Sequence, residues 1–160
     1  MRTMRNDNKW IAAAICVAIT LAVVTTHAQK PVRKPATITL SMTGDSTFKG
    51  QLKGTCEFDP ADNRVSIDGV DPAIAVHAFV DYPSTAPFKV AIEGIGGGKG
   101  KTVARVTTVV NNYNYVATSG AGALDDAAGA SGHLKADGFI KAGVSMQTQK
   151  LTADLAWKCQ

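Results

Sequence analysis

Glutamate and histidine are scarce in this chain of 160 residues. Its two glutamates are Glu57 and Glu93, and it has three histidines. Most glycosidases need two carboxylic acids that flank the scissile bond, and the sequence indicates no such pair. It also lacks any segment after residue 28 whose apolar residues repeat with a helical period over a useful length. The sequence therefore indicates neither a glycosidase nor a helical architecture.

The first 28 residues have the layout of a cleavable signal peptide. Three basic residues precede an apolar run over residues 10–24, and small residues lead to Ala28. The run is shorter than the roughly 20 residues that a membrane-spanning helix needs. We expect cleavage after Ala28, a mature chain that starts at Gln29, no membrane span after cleavage, and a secreted or periplasmic location.

Removal of the signal changes the charge balance. The whole chain carries 17 basic and 13 acidic residues, a net charge of +4. Residues 29–35 then form a basic leader that contains proline, and residues 36–160 form one domain with 11 basic and 12 acidic residues. A nucleic-acid-binding domain typically carries a basic patch. We therefore expect no nucleic-acid partner.

Two of the three cysteines, Cys56 and Cys159, remain after cleavage. In an exported domain two cysteines most simply form one disulfide. Each lies in a segment of alternating apolar and polar residues, in phase with the apolar side. Two inward-facing cysteines on two strands have the arrangement that a core disulfide requires.

The rest of the chain predicts short strands separated by turns. Residues 47–58 alternate strictly, which is typical of a half-buried antiparallel strand. Asn111-Asn112 and Asp137-Gly138 are hairpin-turn dipeptides, and residues 120–132 are either a loop or a weak edge strand. Nine or ten such strands predict an all-β fold. We favour an antiparallel β-sandwich, with a barrel-like closed sheet as the alternative.

The tip of the hairpin around Asn111-Asn112 is the candidate partner-binding surface. Asn112, Tyr113 and Tyr115 place aromatic rings beside amide groups, and such rings stack on sugars or anchor protein partners. A protein or a carbohydrate is therefore the expected partner. A second possibility is that this hairpin inhibits a secreted enzyme.

The acidic turns are weak candidates for a metal site. Asp59, Asp62, Asp68 and Asp71 lie close together in sequence, and carboxylates in loops of exported β domains can bind Ca²⁺. Their spacing matches no calcium loop, and aspartate is also an ordinary turn residue. We therefore expect no metal, no cofactor and no catalytic residue. The alternative is a small secreted hydrolase or metal-dependent enzyme that uses these acidic loops.

Three short features give the chain a family resemblance. They are Gly54-Thr55-Cys56, the run from Thr118 to Gly122 that follows an aromatic strand, and the alternating last strand that ends at Cys159. In these the chain resembles the mycobacterial lipoprotein-antigen family and similar small exported bacterial β domains. That family carries a lipidated cysteine directly after its signal, which this chain lacks. The resemblance implies envelope exposure and a non-catalytic binding or structural role at the cell envelope or outside the cell.

Overall fold

The computed structural model describes residues 30–92, 101–126, 128–143 and 149–160, and the predicted signal peptide lies outside them. In the described part the chain forms eleven β-strands. Their bounds are β1 Val32–Gly44, β2 Phe48–Asp59, β3 Arg64–Asp71, β4 Ile74–Asp81, β5 Phe88–Val90, β6 Val103–Val110, β7 Tyr113–Val116, β8 Ser119–Leu124, β9 Ser131–Asp137, β10 Ile140–Lys141 and β11 Leu151–Cys159.

Nine of these strands close into a barrel. The hydrogen-bonded order runs β6-β4-β3-β2-β1-β11-β9-β8-β5 and returns from β5 to β6, while β7 and β10 extend from the side of β6. The all-β prediction is confirmed. The preferred sandwich is wrong, and its stated alternative, the barrel-like closed sheet, is confirmed.

Two strands, β1 and β5, explain why the sheet closes instead of splitting into two layers. β1 pairs along most of its length with both β2 and β11, so it has no free edge there. The three-residue strand β5 pairs in parallel with β6 and antiparallel with β8, which joins the two ends of the sheet. Closure of this kind removes sheet edges that would otherwise be exposed.

The barrel interior is filled by alternate residues of the strands. One cluster of buried apolar side chains contains Ile38, Leu40 and Ile67 together with the smaller Ala78 and Ala136. Large and small side chains mixed in this way fill a narrow barrel without leaving a channel. At Gly54 there is no room for a side chain, because a Cβ atom would overlap the carbonyl oxygen of Asp68 on β3.

One of the two predicted hairpin turns is confirmed. Asn111 and Asn112 have φ angles of +50° and +63° and connect β6 to β7, as a tight turn requires. The hairpin predicted at Asp137-Gly138 is wrong. β9 and β10 on its two sides do not pair with each other but with β8 and β7. The dipeptide therefore links two strands that pair with different neighbours.

Candidate functional site

At one end of the barrel β1 extends past the end of β11 alongside β2. β1 pairs with β2 from Val32, which lies opposite Phe58, but its pairing with β11 starts only where Ala36 lies opposite Cys159. Residues 32–35 therefore have a paired strand on one side only. Because alternate residues share a face, Val32 and Lys34 lie on the same face as the buried Ala36. Their side chains line the end of the barrel.

The predicted disulfide between Cys56 and Cys159 is confirmed and lies at this end. It joins β2 to β11, which are separated in the sheet by β1, with 6.1 Å between the two Cα atoms. Cys56 is buried and Cys159 is half-buried. The bridge closes a loop that spans 103 positions of the sequence. It therefore ties β2 to the last strand, β11, across β1 at this end of the barrel.

The connection between β8 and β9 forms the opposite wall, and Asp126 organises it. Its carboxylate accepts hydrogen bonds from the backbone amides of Ala128, Ala130 and Ser131 at 2.9, 3.1 and 2.9 Å. Burial acts to raise the pKa of Asp126, but these hydrogen bonds favour the charged form and hold the pKa below its usual value.

Gly129 attaches this wall to the barrel. Its carbonyl oxygen accepts a hydrogen bond of 3.0 Å from the indole nitrogen of the buried Trp157. Its φ angle is +69°, and a Cβ atom at this position would overlap the side chain of Val65. Glycine is the residue that tolerates both conditions. The wall is therefore held against the core from two directions.

Between the β1–β2 extension and this wall lies a groove of about 530 Å³, which we call the end groove. Its volume is within the roughly 300–1,000 Å³ of small-molecule sites. Apolar side chains and the disulfide dominate its lining, with Lys30, Lys34 and Glu57 as the charged members. Val32 and Phe58 line it while 61% and 36% exposed. Large apolar side chains are thus left in contact with solvent here.

Sequence reasoning missed this groove. It assigned residues 29–35 to a leader, whereas β1 starts at Val32. The sequence did contain a signal for it. The alternation that predicts β2 continues to Phe58, and a strand of that length needs a partner that starts before residue 36. Pro31 and Pro35, with the basic residues between them, suggested a flexible leader instead.

The predicted partner-binding residues lie on the β6–β7 hairpin, away from the end groove. Asn112 is exposed in the turn, and Tyr113 is 50% exposed with the Lys141 ammonium nitrogen 3.0 Å from its ring centroid. Tyr115 is half-buried and packs against the core. The three side chains therefore do not form one continuous exposed surface. Binding of a partner at this hairpin stays a prediction.

Of the four aspartates proposed as weak metal candidates, Asp59 and Asp62 share one turn, whereas Asp68 and Asp71 lie in β3. Asp59 accepts hydrogen bonds from the amides of residues 61 and 62, and Asp71 accepts one from residue 73. Asp68 forms a hydrogen bond with His77, and Asp62 is exposed in its turn. Within the described part of the chain, no group of three histidine, cysteine, aspartate or glutamate side chains is placed to hold a metal ion.

A row of polar and aromatic side chains covers the outside of β3, β4 and β6. His77 forms a hydrogen bond with Asp68 on one side and packs edge-on against Phe79, with 4.1 Å between ring centroids. Asp81 binds both Arg64, at 2.6 Å, and Arg105. The register that aligns His77 with Asp68 was not readable from the residues.

Comparison with known proteins adds no assignment to this site. No protein-family model, curated protein or solved structure matches the chain. The family resemblance drawn from the sequence therefore stays a prediction. The residues that the structure describes include no helix long and apolar enough to cross a membrane.

Proposed function

We propose that this chain is an exported, non-catalytic domain that binds the apolar part of a ligand in the end groove. The observation that carries the proposal is the solvent-exposed pair Val32 and Phe58, which lie opposite each other across β1 and β2. Covering the apolar surface of these two side chains is favourable, at about 25 cal/mol for each Å² removed from water. A ligand that covers both side chains gains this free energy.

The surroundings of the pair also favour binding. The disulfide fixes one side of the groove, and the hydrogen bonds of Asp126 and Gly129 fix the other. A site whose walls are already ordered loses little conformational entropy when a ligand binds. The end groove therefore combines exposed apolar surface with fixed walls.

Titration of the oxidised full chain with N-phenyl-1-naphthylamine, an uncharged apolar fluorophore, tests this function. We expect saturable binding of the dye and a loss of affinity of at least about tenfold in the Phe58→Ser variant, since a buried Phe side chain contributes about 1.5–3 kcal/mol. Val70→Ser is the matched control, because Val70 is 64% exposed but does not line the groove. Equal affinities of the two variants would contradict the proposal.

Export is a second part of the proposal and has its own test. The signal layout of residues 1–28 and the formation of a disulfide both support an oxidising compartment outside the cytoplasm. Mass analysis of the protein from the extracellular or periplasmic fraction should give a chain that starts at Gln29. Recovery of the intact chain from the cytoplasm alone would contradict this part.

A secreted hydrolase is the second candidate function, and the His77–Asp68 pair favours it. A carboxylate that binds one ring nitrogen of a histidine orients the other as a general base. On the side of His77 away from Asp68, Thr107 lies directly opposite it in the β4–β6 ladder. The purified protein should then hydrolyse a p-nitrophenyl ester. Loss of this activity in His77→Gln but not in His133→Gln would support this candidate. Equal rates in both variants would exclude it.

A further inference from the structure

We infer that the ligand of the end groove is a single-chain amphiphile with an anionic end, of the long-chain carboxylate type, whose anion pairs with Lys34. The inference rests on the proposed binding function and assigns a chemical class to the ligand. Its basis is the distribution of charge around the apolar surface of the groove.

The positive charges of the groove are not neutralised. Glu57, its one acidic lining residue, forms an ion pair with Arg33 at 3.0 Å. Among the described residues, neither Lys30 nor Lys34 has an ion-pair partner within 4.0 Å. The ligand-facing surface therefore carries two unneutralised ammonium groups. An anion is the complementary charge.

The position of Lys34 places one of these charges beside the apolar side chains of the groove. Lys34 lies directly opposite Cys56 in the β1–β2 ladder, and the next inward-facing pair toward the strand ends is Val32 and Phe58. Directly opposed residues in a ladder have Cβ atoms about 5 Å apart. A lysine can lay its methylene groups along apolar surface while its ammonium stays in water. The far wall, at residues 128–130, carries no ionisable side chain.

The same end of β1 is poorly suited to a peptide ligand. A peptide that added a strand beside residues 32–35 would use the backbone amides of that edge. Pro31 and Pro35 have no amide hydrogen, and proline on an exposed edge prevents strand addition. Gln160 already donates its amide to the Pro35 carbonyl at 2.9 Å. An alkyl chain requires no backbone hydrogen bonds.

Binding of decanoate, decanol and octanoate to the oxidised full chain tests the ligand class. We expect decanoate to bind about tenfold more tightly than decanol, since a charge-assisted hydrogen bond favours the anion. Octanoate, with two methylene groups fewer, should bind about fifteenfold more weakly than decanoate. Lys34→Gln should remove most of the preference for decanoate over decanol and leave decanol binding unchanged. Lys53→Gln, an exposed lysine on the outer face of β2, is the matched control.

The outcomes separate this inference from the function on which it rests. Equal affinity for decanoate and decanol, unaffected by Lys34→Gln, would overturn the anionic class and leave apolar binding in place. Failure of every alkyl compound and of the apolar fluorophore would overturn both. Tight binding of a peptide with a free carboxyl terminus, with no binding of decanoate, would overturn the amphiphile in favour of a protein partner. If Lys34→Gln is unstable, Lys34→Met keeps the stem and removes the charge.

Discussion

Lys34 lies directly opposite Cys56 in the ladder between β1 and β2, so a cation stands next to the disulfide at the open end of the barrel. Two features that appeared unrelated in the sequence, a basic leader and a core disulfide, are thus parts of one groove. The disulfide fixes one side of the groove, and Lys34 near the start of β1 gives the groove positive charge.

Removal of the disulfide should strongly destabilise the domain. For a loop of about 100 residues, the chain-entropy model gives a contribution of about 4–5 kcal/mol to the free energy of unfolding. Urea unfolding of the Cys56→Ser/Cys159→Ser double variant should show a midpoint far below that of the oxidised protein. Mass analysis of the oxidised protein without reductant should find no free thiol at either position. Coincident unfolding curves would contradict the structural role assigned to the bridge.

Loss of the Asp126 carboxylate should destabilise the groove wall in a pH-dependent manner. Hydrogen bonds to a charged group contribute about 2 kcal/mol, so Asp126→Ala should lower the free energy of unfolding by about that amount at pH 7. Because the pKa of Asp126 is lowered in the folded protein, this stabilisation is present above the unfolded value of about 3.9 and is lost as the pH falls through the folded value. Unfolding of both proteins from pH 7 to pH 2 should show the difference shrinking below about pH 4. Asp154→Asn, at an exposed position of β11, is the control. A stability difference for Asp126→Ala that stays constant from pH 7 to pH 2 would contradict the role assigned to the charged carboxylate.

Two glycines on the same face of β2 should respond differently to alanine. At Gly54 the new methyl group overlaps the backbone of Asp68, whereas at Gly50 it meets the side chain of Phe48, which can move. Overpacking against a fixed backbone costs about 1–3 kcal/mol, so Gly54→Ala should unfold at clearly lower denaturant. Gly50→Ala should be nearly neutral, because alanine also restricts the unfolded chain. Equal effects at both positions would show that the predicted close contact is absent.

Replacing the buried hydroxyl group of Thr108 with a methyl group should stabilise the folded protein. Thr108 is 0% exposed, and its hydroxyl oxygen has no hydrogen-bond partner among the described residues. A buried polar atom without a partner costs about 1–3 kcal/mol. Thr108→Val keeps the shape, so it should raise the free energy of unfolding by about 1 kcal/mol. Thr107→Val, on the outer face of the same strand, should change it little, and a less stable Thr108→Val would indicate that the hydroxyl is satisfied.

Local patterns predicted the strands well because alternation reports which face of a strand is buried. The strand over residues 47–58 and the inward positions of Cys56 and Cys159 followed from alternation, whereas the Asn111-Asn112 turn followed from the conformational preference of asparagine. Closure of the sheet did not follow, because inward and outward residues alternate identically in a sandwich and a barrel. It depends on β5, whose three residues carry almost no pattern. At Asp137-Gly138 the choice of strand partner overrode the local preference for a hairpin.

The candidate site was less predictable than the fold because it depends on relative strand lengths. Val32 and Lys34 acquire their role only because β1 and β2 extend past the end of β11. The alternation of residues 47–58 puts Phe58 on the same face as Cys56, but its exposure depends on where neighbouring strands stop. The wall at Gly129 comes from residues 120–132, a segment of low complexity for which the sequence left loop and strand open. The structure shows that this segment contributes both β8 and the wall.

Mapping the ligand-binding site on the folded protein tests the role of the end groove most directly. Amide chemical shifts of the ¹⁵N-labelled, oxidised chain would be followed during titration with decanoate. The largest changes should fall at residues 32–34, 56–58 and 128–130, which surround the end groove. Changes concentrated at residues 111–115, or no saturable change at any amide, would contradict this role.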